Sequence, residues 1–251
     1  MRIAGIIQAR MGSKRLPGKV LRNIAGSTII ERIVARMSEV SLIDQLILAT
    51  TDQDEDDVLC EWSLNKGLDF HRGSVNDVLE RTFQCAQRFN ADVVVRITAD
   101  DPLKDPSVTA QIIKHLIDNK ELDYCSNTIV PSYPEGLDIE VIRFEALEVA
   151  QKLAKVSSDR EHVTPFIWRN PSMFRVENIM NNEDLSHWRW TVDYEEDILF
   201  MEKILLNFPK GLTVSFDELV GFLKKHPDIV EINHRFRRNE GYYKSLNDEE
   251  Y

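Results

Sequence analysis

The stretch ADVVVRIT, residues 91–98, is the most continuous β-branched run in the chain, and it limits the folds available. A strand that is apolar on both sides needs cover on both sides, so this run belongs at the centre of a sheet with helices on each face. IAGII (3–7) and QLILAT (45–50) also read as buried strands, and LDFH (68–71) as a short one. Between them lie stretches of helical spacing. Thr28 and Glu31 stand at capping-box distance, with Ile29, Ile30, Ile33, Val34 and Met37 on one face. An acid-started segment from Asp54 is stopped by Gly67, and Val78, Leu79, Phe83 and Ala86 face inward along DVLERTFQCAQRF. Strands alternating with helices make a parallel sheet, so the expected fold is α/β: a Rossmann-like, mostly parallel sheet flanked by helices.

Further along, a helix is expected over about 106–119, and strands in DYCSN (123–127) and GLDIEVI (136–142) around the turn-rich VPSYPEG. Helices follow in FEALEVAQKLA (144–154) and SFDELVGFLKKH (215–226), and WRWTVDYEEDILFMEKILLNF (188–208) reads as a strand leading into a helix. The expected organisation is one domain over 1–232. It contains a less regular sub-lobe at about 125–185, suited to a subunit contact, and is followed by a polar tail, 233–251, that reads as a packed extension or as partly disordered.

The chain has 251 residues and a formal net charge of −11, which argues against nucleic acid or an anionic membrane as partner, because the average surface repels both. MRIAGIIQAR is too short in its apolar part for a signal-peptide core, and no segment reaches membrane-spanning length, so a soluble cytoplasmic protein is expected. Cys60, Cys85 and Cys125 are odd in number and widely spaced among apolar neighbours, the pattern of buried free thiols.

Against that acidic background, RMGSKRLPGK (10–19) packs four cations, Arg10, Lys14, Arg15 and Lys19, into the loop after the first strand. In open parallel sheets ligands gather outside the carboxyl ends of strands, and a basic glycine-containing loop there suits phosphate. Neither common phosphate-loop geometry is present. Gly12 and Gly18 are separated by five residues rather than four, Lys19 is followed by Val20, and there is no GxGxxG.

IIQARMGSKRLPGKVL closely resembles the opening of the cytidylyltransferases that activate acylneuraminate and 3-deoxy-manno-octulosonate with CTP, nearest the spore coat polysaccharide biosynthesis protein F branch. RGSVNDVLERT (72–82), RITADDP (96–102), GLDIEVI (136–142), REHVTPFI (160–167) and WTVDYEEDILFM (190–201) follow in family order, so the resemblance covers most of the chain. It implies the nucleotide-diphospho-sugar transferase-like version of the fold, a homodimer, and CMP transfer from CTP to an acidic sugar with release of pyrophosphate, in surface polysaccharide synthesis. By the family pattern Arg10, Ser13, Arg15 and Lys19 contact the triphosphate, with Lys19 and Arg15 joined by Asp100 as the catalytic set. Arg72, Ser74 and Asp77 face the nucleoside, with Arg81 in reserve. Mg2+ falls to Asp100 and Asp193, Asp101 standing behind. Asp138, Glu140, Arg160 and His162 line the acceptor pocket, where Arg160 would meet the acceptor's carboxylate.

Local structure offers competing explanations for several of these. An Asp after a strand is also a helix cap, Ser74 and Asp77 have the spacing of a helix start, and Arg160 and Glu161 could be a surface pair. Two other functions stay open on the residues alone. One is a glycosyltransferase holding a metal on Asp52 and Asp54; the other is a non-catalytic nucleotide-binding assembly protein.

Overall fold

The protein is described as a computed structural model over residues 1–208 and 214–249. In chain order its elements are β1 (Ile3–Gln8), β2 (Asn23–Ile24), β3 (Ser27–Thr28), α1 (Ile29–Ser38), β4 (Gln45–Thr51), α2 (Asp57–Asn65), β5 (Asp69–Gly73), α3 (Val78–Arg88), β6 (Val93–Thr98) and α4 (Pro106–Asp118). The second half adds β7 (Tyr124–Ser126), β8 (Glu140–Arg143), α5 (Phe144–Leu153), α6 (Ser157–His162), α7 (Pro165–Trp168), β9 (Val176–Asn178), α8 (Glu195–Asn207), α9 (Phe216–Leu223), α10 (Pro227–Val230) and α11 (Glu240–Glu249). Seven strands form one sheet in the order β5-β4-β1-β6-β8-β7-β9, and only β8 runs against the rest.

The β-branched run lies where its composition puts it. β6 is central, pairing in parallel with β1 and antiparallel with β8. Its side chains alternate between two cores, Val93, Val95 and Ile97 on one face and Val94 on the other. β1 divides likewise, with Ile3 and Ile7 on the first face and Ala4 and Ile6 on the second. The chain moves outward from β1 through β4 to β5 and then returns to β1's other side with β6. The order therefore reverses beside β1, and the carboxyl ends of β1 and β6 lie side by side at this switch point, where open α/β sheets gather ligands.

The capping box on α1 is present in both directions, Glu31 N–H to Thr28 Oγ1 at 3.3 Å and Thr28 N–H to Glu31 Oε2 at 2.8 Å. All three cysteines are buried and free.

Two expectations need correction. Residues 188–192 are not a strand. Glu135 N–H bonds to the Trp188 carbonyl and Trp190 N–H to the Glu135 carbonyl, but Val192 N–H turns away to the Asp100 carbonyl, so no single neighbour offers a ladder. The expected strand at 136–142 is shorter, Glu140–Arg143, and antiparallel. Residues 136–139 are drawn out of the sheet, where Gly136, at φ +105°, lies so close to Trp190 that a Cβ would come within 2.6 Å of its backbone. The region 125–185 contributes β7 to β9 to the main sheet. The tail packs through α11 as far as Glu249, and its last two residues lie outside the described ones.

Candidate active site

The basic loop leaves β1 at Gln8, and its shape is set by backbone bonds. Met11 N–H is anchored to the buried Asp56 at 2.6 Å, and the Met11 carbonyl accepts from Ser13 N–H at 2.8 Å and Gly18 N–H at 2.9 Å. Gly18 adopts φ +69°, a left-handed turn that L side chains resist, and this starts the short 3-10 turn Lys19–Leu21. The turn sends Lys19 inward. Only 7% of Lys19 is exposed, and its Nζ donates to Asp100 Oδ2 at 2.9 Å, Asp193 Oδ1 at 2.7 Å and the Val192 carbonyl at 2.8 Å.

Asp100 arrives from the end of β6, and Asp193 from the residues before α8. Burial alone would raise Asp100, but the Lys19 ammonium holds its carboxyl down at about 2. Burial would likewise lower Lys19, and its two carboxylates overcome this and raise it. Arg15 Nη2 takes the same oxygen of Asp193 at 2.6 Å, and its guanidinium lies 5.4 Å from the centre of the Tyr194 ring. The second oxygen of Asp193 goes to Arg189 at 3.0 Å. Arg189, buried, also reaches Asp197 at 2.9 Å and Glu135 at 2.6 Å. Asp100 and Asp193 thus present carboxylate oxygens to one shared cation. Among the described residues no group of three or more His, Cys, Asp or Glu side chains is arranged to hold a metal. Two carboxylates leave the remaining positions of a hard ion to phosphate and water, the usual arrangement for Mg2+ beside a nucleotide.

The other expected residues fall into separate groups. Arg10 makes no side-chain hydrogen bond or ion pair among the described residues, and it adds to the burial that pushes Arg81 down to about 10. Ser13 Oγ accepts from Leu16 N–H at 3.3 Å. Arg72 is spread over the carbonyls of Thr51 and Gln53 and the carboxylate of Asp57. Ser74 Oγ accepts from Asp77 N–H, and Asp77 caps α3 through Glu80 N–H at 2.8 Å. The local start-of-helix explanation therefore accounts for both. Asp77 also receives Arg160 Nε at 2.6 Å, and the same guanidinium donates to the carbonyls of Gln151 and Ala154 at 3.0 Å.

Glu140 is a buried hub for Arg96, Tyr124 and Thr164. Burial would raise its carboxyl, and these donors hold it below the ordinary value. Asp138 pairs with Arg238; burial pushes it up and that guanidinium pulls it back. His162 Nε2 lies 3.0 Å from Ser245 Oγ. Asp101 accepts from Lys104 at 2.9 Å, which also bonds the Asp138 carbonyl and so ties the two acidic segments together. Asp52 and Asp54 form no bond to the Lys19 cluster; Asp52 accepts from its neighbour Gln53 at 2.8 Å.

Arg189, Asp197, Glu135 and Arg238 were not anticipated. Asp197 had a local signal, standing one helical turn beyond Asp193. Arg238 had none, because its partner lies 100 positions away.

A basic loop that meets convergent carboxylates at the switch point of an open α/β sheet suits a nucleotide-handling transferase. Residues 4–233 match the family described as cytidylyltransferase. The chain belongs to that family and is a nucleotidyltransferase. It is 31% identical over 232 residues to the spore coat polysaccharide biosynthesis protein SpsF of Bacillus subtilis, covering 90% of this chain and 95% of that one. It is 28% identical over 235 residues to the 3-deoxy-manno-octulosonate cytidylyltransferase of Geobacter sulfurreducens, covering 92% and 83%. A solved cytidylyltransferase structure from Leptospira borgpetersenii superposes with a TM-score of 0.89 at 28% identity, covering 95% of this chain and all of that one.

Proposed function

We propose that the protein transfers CMP from CTP to a hydroxyl of an acidic sugar and releases pyrophosphate, as a cytoplasmic step in surface polysaccharide synthesis. The carrying observation is the convergence of Lys19 and Arg15 on Asp100 and Asp193 at the strand-order reversal. Lys19 and Arg15, paired here with the carboxylates that would hold Mg2+, turn to the phosphates when CTP binds, with the uncommitted Arg10 adding positive charge. Lys suits a point contact and Arg a two-pronged one. The sugar hydroxyl attacks the α-phosphorus and gives up its proton to solvent, the bond to the bridging oxygen breaks, and pyrophosphate leaves against the loop cations. Asp100 and Asp193 would hold Mg2+, which spreads the triphosphate's charge. No covalent protein nucleophile is required, because positioning and electrostatics supply the rate.

SpsF supports the polysaccharide setting, and the 3-deoxy-manno-octulosonate enzyme supports a sugar-acid acceptor. We further propose a homodimer, formed through the region 125–185.

Pyrophosphate release tests the assignment. Lys19→Ala and Asp100→Ala each lower kcat roughly 10²- to 10³-fold with the circular dichroism unchanged, while Asp52→Ala keeps wild-type turnover. Near-normal turnover in Lys19→Ala, or loss in Asp52→Ala, sinks the reading.

A further inference from the structure

The C-terminal segment does more than cover the fold. From Asn233, whose amide bonds the Arg189 carbonyl and Asp197, it runs past the residues that hold Asp193. Phe236 stacks on Tyr194 with ring centres 4.0 Å apart. Arg238 pairs with Asp138 and donates to the Tyr133 carbonyl, and Asn239 N–H bonds Glu135 at 2.9 Å. Glu240 accepts from Tyr194 Oη at 2.8 Å and from Arg15 at 3.4 Å. α11 then runs onto α6, where Ser245 meets His162 and Glu161.

Along this segment lies a groove of about 540 Å3 lined by Arg237, Arg238, Glu240, Tyr243, Lys244 and Asn247, within the range that small-molecule sites occupy. Three of the six are cations in a chain of net charge −11. The one acid, Glu240, is turned toward Arg15 and Tyr194. The side chains of Arg237 and Lys244 make no hydrogen bond or ion pair among the described residues. Arg238 is only 15% exposed on its side chain, and its Nε is buried without an acceptor. A buried N–H of that kind costs free energy until something accepts from it. Arg160, the residue expected to receive the acceptor's carboxylate, and Arg238 each pair with one carboxylate and with backbone carbonyl; of the two, only Arg238 keeps a buried N–H without an acceptor and lines the groove.

We propose that this groove binds the acceptor's carboxylate, with Arg238 as the residue that selects an acidic sugar and Arg237 and Lys244 as flanking cations. The groove is joined to the reacting centre through its own lining. Glu240 is one contact from Arg15, which bonds Asp193. The inference rests on the reading of the acceptor as a sugar acid, and it assigns the selection to a segment outside the sheet.

The test uses the full chain and separates the two readings. CTP affinity is first measured by calorimetry for wild type, Arg238→Gln, Arg238→Lys and the double variant Arg237→Gln/Lys244→Gln. Pyrophosphate release is then followed with 3-deoxy-manno-octulosonate and N-acetylneuraminate, each beside its methyl ester. The expected result is CTP affinity within about twofold in all proteins and a wild-type preference for acid over ester of roughly 10- to 100-fold, the size of a charge-assisted bond. Arg238→Gln abolishes that preference through the acceptor KM with kcat nearly kept, Arg238→Lys restores part of it, and the double variant of exposed residues lowers it several-fold.

An acid-to-ester ratio that stays at wild-type value in Arg238→Gln overturns the proposal. Should that variant fail to fold, an unchanged ratio in the double variant overturns it equally. CTP binding without turnover of either acid overturns the proposal while leaving the nucleotide half standing. Absence of CTP binding in the wild type overturns both readings.

Discussion

Arg189 shows how much of the site depends on one buried side chain. It holds Asp193, Asp197 and Glu135 together, and burial, which would lower its pKa, is outweighed by these carboxylates, which raise it. Removing one partner of a buried ion pair leaves charge without compensation, which costs more than the pair contributed. Arg189→Met should therefore cost about 3–5 kcal/mol, seen as a lower urea midpoint. A loss below about 1 kcal/mol, the scale of an exposed pair, would contradict this account of the cluster. Lys19 differs, because when it is lost Asp193 keeps Arg15 and Arg189, and Asp100, 29% exposed on its side chain, can be hydrated. Its replacement should fall mainly on turnover.

At the scale of elements, α1 offers the cleanest local test. Its first turn is held by the reciprocal Thr28 and Glu31 bonds, so Thr28→Ala should destabilise the protein by about 1 kcal/mol in chemical denaturation. Glu31 is held at about 2, first by its bond from Lys66 and then by the Thr28 N–H. A carboxylate whose pKa is depressed in the folded state contributes stability above its ordinary value of 4.5, and that contribution disappears as pH falls toward 2. Glu31→Gln should flatten stability across that acid window, and an unchanged slope would contradict the assignment.

α1, α3 and the buried strands β1, β4 and β6 were legible in the sequence because period and capping are local signals. Residues 188–192 were misread because their apolar, β-branched character serves burial, as with the fully buried Trp190, while their backbone partners are scattered. The residues of the site that were legible lie just after strands, where the topology gathers them. Arg238 was not, because only the folded chain brings it to Asp138.

At the scale of the whole molecule, the region 125–185 leaves Val130, Met173 and Met180 about half exposed. Sedimentation should give twice the 29.1 kDa chain mass, and Met173→Glu with Met180→Glu should return the mass of one chain. A wild type that sediments as a single chain would contradict the proposed dimer. No described helix is long and apolar enough to cross a membrane. The net charge of −11 disfavours anionic partners over the average surface, and the basic loop and the groove at Arg237, Arg238 and Lys244 are where cations locally outnumber acids.

The most direct test of the central claim is a calorimetric titration with CTP, and in parallel with UTP, ATP and GTP, each with and without Mg2+. The account predicts selective, Mg2+-dependent binding of CTP that Lys19→Ala weakens. Equal binding of all four nucleotides, a preference for UTP, or no binding at all would contradict it.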